Sequence, residues 1–176
     1  MNYHNITTDD MLNGSGIRVC LWCSGCDHYC DQCQNPQTWD AQSGIEFDGD
    51  AKEELFAELE KPYIAGITFT GGDPFYDSNI EQVLKLIMEI KYKFPNKTIW
   101  IYTGYTWEEI YHVQLQDLDL ESIYRLASFN YIDVLVDGPF EKDKADVAYP
   151  WAGSTNQRVI DVQKSLKQKE VVLWEN

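Results

Sequence analysis

The chain has 176 residues, 44% of them hydrophobic, and a formal net charge of −15. That is enough apolar material for one globular core, and the acidity argues against a phosphate-backbone partner, which needs a basic face. No run of about 18 apolar residues and no charged-then-apolar leader occurs, so neither a membrane span nor a secretory signal is expected.

In chain order, Ile17 to Trp22 reads as a buried strand. The stretch Cys26-Asp27-His28-Tyr29-Cys30-Asp31-Gln32-Cys33 follows, with three thiols in one short loop. The spacing C-x3-C-x2-C suits a compact iron–sulfur cube, which takes one thiolate per iron. A tetrahedral zinc site would want a second pair of ligands at a distance. From spacing alone zinc stays open, because Cys20-x2-Cys23 precedes the triad. Those two lie three apart on a strand, so their side chains point to opposite faces, and Cys20 is expected as a small core residue. His28, inside the loop, is expected to face solvent. All five cysteines fall between Cys20 and Cys33. An odd, clustered set is no disulfide framework and fits a reducing cytoplasm.

Phe47 to Leu59 has an acidic first turn and a later apolar face, which predicts a helix. Ile64 to Phe69 is a second strand, ended by Gly71-Gly72. Ser78 can cap a helix whose Ile80, Val83, Leu84, Ile87 and Ile90 share one face before Pro95 closes it. Thr98 to Tyr102 is a third strand, Trp107 to His112 a short helix, and Leu120 to Phe129 another with Ile123, Leu126 and Ala127 inward. Tyr131 to Val136 is a fourth strand. Alternating strands and helices predict an α/β fold with parallel strands. Four to six units are too few for a closed eight-stranded barrel, so the expectation is an open partial β/α barrel. Gly71, Gly72, Asp73 and Thr103 each follow a strand, the edge where ligands sit in such folds.

The ordered motifs carry a resemblance. Asn2-Tyr3-His4, Asn13-Gly14-Ser15-Gly16-Ile17-Arg18, Ser24-Gly25-Cys26, Thr70-Gly71-Gly72-Asp73-Pro74 and Tyr102-Thr103-Gly104-Tyr105 come in that order. Val134-Leu135-Val136-Asp137-Gly138 and Gly153-Ser154-Thr155-Asn156-Gln157-Arg158 complete the set. Together they resemble the radical S-adenosylmethionine enzymes and, among them, the activating proteins of anaerobic ribonucleoside-triphosphate reductase.

The resemblance implies a [4Fe–4S] cluster on Cys26, Cys30 and Cys33, with its fourth iron chelated by S-adenosylmethionine. It implies that Gly71, Gly72 and Asp73 bind the cofactor's amino group, that Thr103 touches it, and that Gln32 and Gln34 flank its adenine. Asn156, Gln157 and Arg158 become candidates for site closure or partner contact. Reductive cleavage of the sulfonium would give methionine and a 5′-deoxyadenosyl radical, which takes a hydrogen atom from a backbone glycine. The implied partners are the large glycyl-radical subunit of the reductase and an electron donor, flavodoxin-like or similar, with no nucleic acid and no membrane. Residues 1–160 are expected to form the activase domain and 161–176 a C-terminal extension. Tyr105, Trp107 and Trp151 are the expected rim aromatics for a partner interface.

Two departures stand out. Gln32 replaces the glycine or aromatic residue common at its position, and Trp151-Ala152-Gly153 stands where an arginine-glycine pair is common. The rival readings are a radical enzyme acting on a small molecule, an activase for another glycyl-radical enzyme, and a non-catalytic zinc module.

Overall fold

The computed structural model describes residues 1–113 and 118–175. One seven-stranded sheet organises the chain. Its strands are β1 (Asn2–Asp10), β2 (Arg18–Cys23), β3 (Ile45–Glu46), β4 (Gly66–Gly71), β5 (Thr98–Tyr102), β6 (Val134–Asp137) and β7 (Arg158–Asp161). They lie side by side as β3-β1-β2-β4-β5-β6-β7. The middle four, β2, β4, β5 and β6, run parallel. These are the four strands legible in the hydrophobic pattern. The flanking β1, β3 and β7 pair antiparallel, so the sheet is mixed where parallel strands alone were expected. Central strands are covered on both faces and read as apolar runs. The flanking β1 buries only Tyr3 and Ile6, too few for a clear periodic signal.

Helices α1 (Gly49–Leu59), α2 (Asp77–Lys93), α3 (Trp107–Tyr111), α4 (Leu120–Ser128) and α5 (Val162–Gln168) complete the fold. All five contribute to the core on one face of the sheet, where Val19, Leu21, Cys23, Ile67, Phe69, Ile99, Ile101 and Leu135 point. Asp48 caps α1 by accepting from the Ala51 amide, and Leu55, Phe56 and Leu59 turn inward. The α2 helix buries the expected isoleucine, valine and leucine face, but it begins at Asp77, with Tyr76 at its boundary and Ser78 already inside. In α4 the expected inward face is rotated. Ile123 is 46% exposed, while Arg125 and Ser128 are buried. The cause is polar: Arg125 donates to the Phe75 carbonyl and pairs with Asp77, which turns its side of the helix inward.

The second face of the sheet has a different character. Arg18 is fully buried there, its guanidinium over the Trp100 ring. It donates to Thr68 Oγ1, Thr98 Oγ1 and the carbonyls of Ser15, Ile67 and Thr98. Burial pulls its pKa down to about 10, an effect that the charges of more distant groups such as Asp133 and Asp10 offset only in part. Cys20 shares this face and Cys23 the helical one; both are buried. Trp100 packs edge-on against Trp151 and Trp174. Trp174 arrives with the segment after α5. The Asp161 amide donates to Val172 and the Trp174 amide to Val159, so this segment covers the outer edge of β7 and blunts it against pairing with other chains. Asn176, the last residue of the expected extension, lies outside the described residues.

Gly66 sets the β4–β5 spacing. A Cβ there would stand 1.9 Å from the Thr98 carbonyl oxygen, which is backbone and cannot rotate away. Gly66→Ala is therefore expected to cost about 3 kcal/mol, the upper range for overpacking. Urea denaturation with an unchanged midpoint would show that the sheet absorbs the methyl group.

Candidate metal centre

The carboxyl ends of β2, β4, β5 and β6 open onto one cavity. Its lining includes Cys26, Cys30, Cys33, Gln34, Gly71, Gly72, Asp73 and Thr103, eight of the nine residues picked out in the sequence. Gln32 is not in the lining. It sits exposed with φ 54° at the tip of the turn closed by the Cys33 amide on the Cys30 carbonyl.

The cysteine loop is anchored at its base: Gly25 and Cys26 donate their amides to Thr38 and Trp39. Further along, Tyr29 packs edge-on against the Trp39 ring. No cysteine is in a disulfide. Among the described residues, no three His, Cys, Asp or Glu side chains are grouped to hold one metal ion. What the loop offers is three separate thiols around a cavity, the donor set of a cluster in which each thiolate serves its own iron. Burial pushes the Cys26 thiol up to about 12, with the Asp73 carboxylate adding to the rise. Coordination to a metal would reverse that preference, because a coordinating thiol is deprotonated outright.

The Gly71-Gly72-Asp73 turn is fastened to this loop. Gly71 takes φ 95°, a region closed to most side chains. Gly72 donates to the Cys23 carbonyl and Asp73 to the Gly25 carbonyl, both at 2.8 Å. A Cβ on Gly72 would lie 2.5 Å from the Gly25 oxygen. The close approach that the glycines permit is thus made to the protein's own chain at the root of the cysteine loop.

Asp73 is 1% exposed, and its carboxylate is spent within the protein. Oδ1 accepts from the Phe75 amide at 2.7 Å. Oδ2 accepts from His28 Nε2 at 2.7 Å, Thr103 Oγ1 at 2.9 Å and the Gly104 amide at 3.0 Å. The expectation of a solvent-facing His28 is therefore overturned: its imidazole is half-buried and bound to a buried carboxylate. Burial opposes the imidazolium, but the hydrogen bond and charge of Asp73 outweigh it and raise the His28 pKa. His28 also packs edge-on against Tyr105, which lies over the Arg125 guanidinium. The sequence offered no signal for this histidine beyond its place inside the triad.

The other side of the cavity rests on a second buried carboxylate, Asp137. It accepts from the Trp107 amide at 2.7 Å and pairs with Arg158, which also reaches Glu108. Trp107 is consequently buried against Phe129 rather than displayed on a rim, and Tyr105 and Trp151 are only part exposed. Gln157 lines the cavity and donates to the Gly138 carbonyl, while Asn156 donates to Pro139. A groove runs on from the cavity, sharing Asn13, Trp22, Gln34, Tyr102 and Gly153 with it. Its outer end carries Met11, Leu12 and Val147, all highly exposed.

Residues 12–160 match the family pattern of the 4Fe-4S single cluster domain. The chain is 40% identical over 159 residues to the anaerobic ribonucleoside-triphosphate reductase-activating protein of Enterobacteria phage T4, covering 90% of this chain and 93% of that one. It is 38% identical over 161 residues to the protein of the same name in Escherichia coli strain K12, covering 90% and 97%. The Vibrio cholerae counterpart is 38% identical over 159 residues, covering 89% and 96%.

Because the Asp73 carboxylate holds internal donors, Asp73→Ala should act first on stability. It strands the amides of Phe75 and Gly104 and the Thr103 hydroxyl, for a loss of roughly 3 kcal/mol. The check is the urea midpoint of the iron-free protein; a wild-type midpoint would mean the carboxylate is free to serve a ligand.

Proposed function

The chain belongs to the anaerobic ribonucleoside-triphosphate reductase-activating proteins, and we propose that it performs the activation with a [4Fe–4S] cluster on Cys26, Cys30 and Cys33. The observation that carries this reading is that three unpaired thiols of one loop share a cavity with the Gly71-Gly72-Asp73 turn and Thr103 at the ends of parallel strands. When bound, the cluster supplies one electron to S-adenosylmethionine, releasing methionine and a 5′-deoxyadenosyl radical that takes a hydrogen atom from a reductase glycine, leaving 5′-deoxyadenosine and a glycyl radical.

The protein's own part is positioning and exclusion of water. The three cysteines would hold the iron. The backbone of Gly71 and Gly72, with Thr103 and Gly104 across the cavity, borders the space left for the cofactor, and Gln34 lies on the side assigned to adenine. No side-chain acid or base is needed, in keeping with a cavity lined by Asp73 and backed by Asp137, two buried carboxylates already paired internally. We read the sheet as an open partial β/α barrel of radical S-adenosylmethionine type. The parallel centre and the placing of all helices on one face support that reading. Residues 1–160 form the activase domain in this reading, and 161–176 an extension of which Val172 to Trp174 shields the β7 edge. The electron comes from a separate donor, flavodoxin-like or similar. A reducing cytoplasm suits five free cysteines, and no helix among the described residues is long and apolar enough to cross a membrane.

The groove beyond the cavity, ending at Leu12 and Val147, is the entry assigned to the glycine-bearing segment of the reductase. Anaerobic incubation of the reconstituted protein, S-adenosylmethionine, a reductant and an anaerobic reductase should give a glycyl doublet in electron paramagnetic resonance that depends on every component. Cofactor cleavage without that doublet, between proteins that bind each other, would favour a small-molecule substrate.

Leu12→Glu and Val147→Glu should raise the KM for the reductase by about fivefold, the effect of about 1 kcal/mol at an interface. Cofactor cleavage without the partner should stay unchanged. A wild-type KM in both variants would move the entry elsewhere.

A further inference from the structure

The cysteine loop is fixed at its base and closed at its far end. The Cys26 amide binds Trp39 and the Asp73 amide binds Gly25, while the Cys33 amide closes a turn on Cys30. Between these points His28 crosses the cavity rim. Its Nε2–H donates to Asp73 Oδ2, the same oxygen that accepts from Thr103 and Gly104. Its ring lies directly on Gly104, where a Cβ would come within 2.3 Å of His28 Cδ2, and against Tyr105 with ring centres 4.8 Å apart. One carboxylate oxygen therefore ties together the cysteine loop, the β4 turn and the β5 turn.

We propose that His28 is a positioning residue: its bond to Asp73 sets the orientation of the cysteine triad relative to the Gly71-Gly72 and Thr103-Gly104 turns, and so aligns the cluster with its S-adenosylmethionine. This rests on Cys26, Cys30 and Cys33 being the cluster ligands. Without the imidazole all three thiols remain and the base of the loop stays anchored. The middle of the loop can then turn about that base and carry Cys30 and Cys33 away from the cofactor seat. Misplacement of a reacting partner by about 1 Å is enough to slow a reaction strongly.

The test compares His28→Ala with His28→Gln, since a glutamine amide can place an N–H near the position of Nε2. Each protein is reconstituted anaerobically, its iron and sulfide are counted, and the reduced cluster is followed by electron paramagnetic resonance as S-adenosylmethionine is added. Partner-free formation of 5′-deoxyadenosine supplies KM and kcat. The Ala variant should keep wild-type iron and sulfide. The cofactor-induced spectral change should need about tenfold more S-adenosylmethionine, with a parallel rise in KM. The Gln variant should recover most of that loss.

A wild-type titration in the Ala variant would overturn the proposal, and so would an equal defect in Ala and Gln. Loss of iron in the Ala variant would make His28 a requirement for assembling the cluster and would overturn it too. A wild-type protein that takes up a cluster without any cofactor-induced change would sink the functional reading and this proposal together.

Discussion

The site depends on one buried negative charge. A carboxylate removed from water is costly unless its oxygens are hydrogen-bonded, and Asp73 meets that condition with two backbone amides, a threonine hydroxyl and an imidazole. These donors come from different parts of the chain: the cysteine loop, the Asp73 turn itself and the turn after β5. Satisfying the charge therefore requires all three segments to be in register at once. The energetic need of one side chain becomes the geometric definition of the cavity rim.

Asp137 repeats the device on the neighbouring strand end. Its oxygens gather the start of α3 through the Trp107 amide and the 153–158 loop through Arg158. Two internal carboxylates thus hold the loops that follow β4, β5 and β6, plus the segment leading into β7. Both are committed to protein donors, which suits chemistry supplied by a metal cluster better than chemistry needing a free acid or base. The pairing also changes how the Gly-Gly-Asp sequence is understood. Its glycines let one backbone lie on another, and its aspartate organises neighbours.

The parallel core and its helices were legible because their signals are local and periodic. The strand Thr98–Tyr102 coincides with its apolar run, and α2 follows the recurrence of Ile80, Val83, Leu84, Ile87 and Ile90. The cysteine loop and the strand-end turns were legible for a related reason: spacing and glycine are properties of the chain before it folds. The antiparallel strands carry no such local signal, because β1 is mostly polar, β3 has two residues, and β7 ends in a helix cap. Ile123 departs from the expected inward face because apolar periodicity weighs hydrophobic residues and ignores an arginine such as Arg125, whose burial is set by Phe75 and Asp77 on another helix's approach.

By itself the sequence determined the four parallel strands, the order of the motifs along them and the clustering of thiols in one loop, since each is written in neighbouring residues. Only the tertiary structure decided where the polar side chains point. His28, Asp73, Trp107 and Arg158 find partners 21 to 50 residues away. No local pattern encodes such contacts; they arise when separate strand ends are brought to one edge of the sheet and each buried charge takes the donors it finds there.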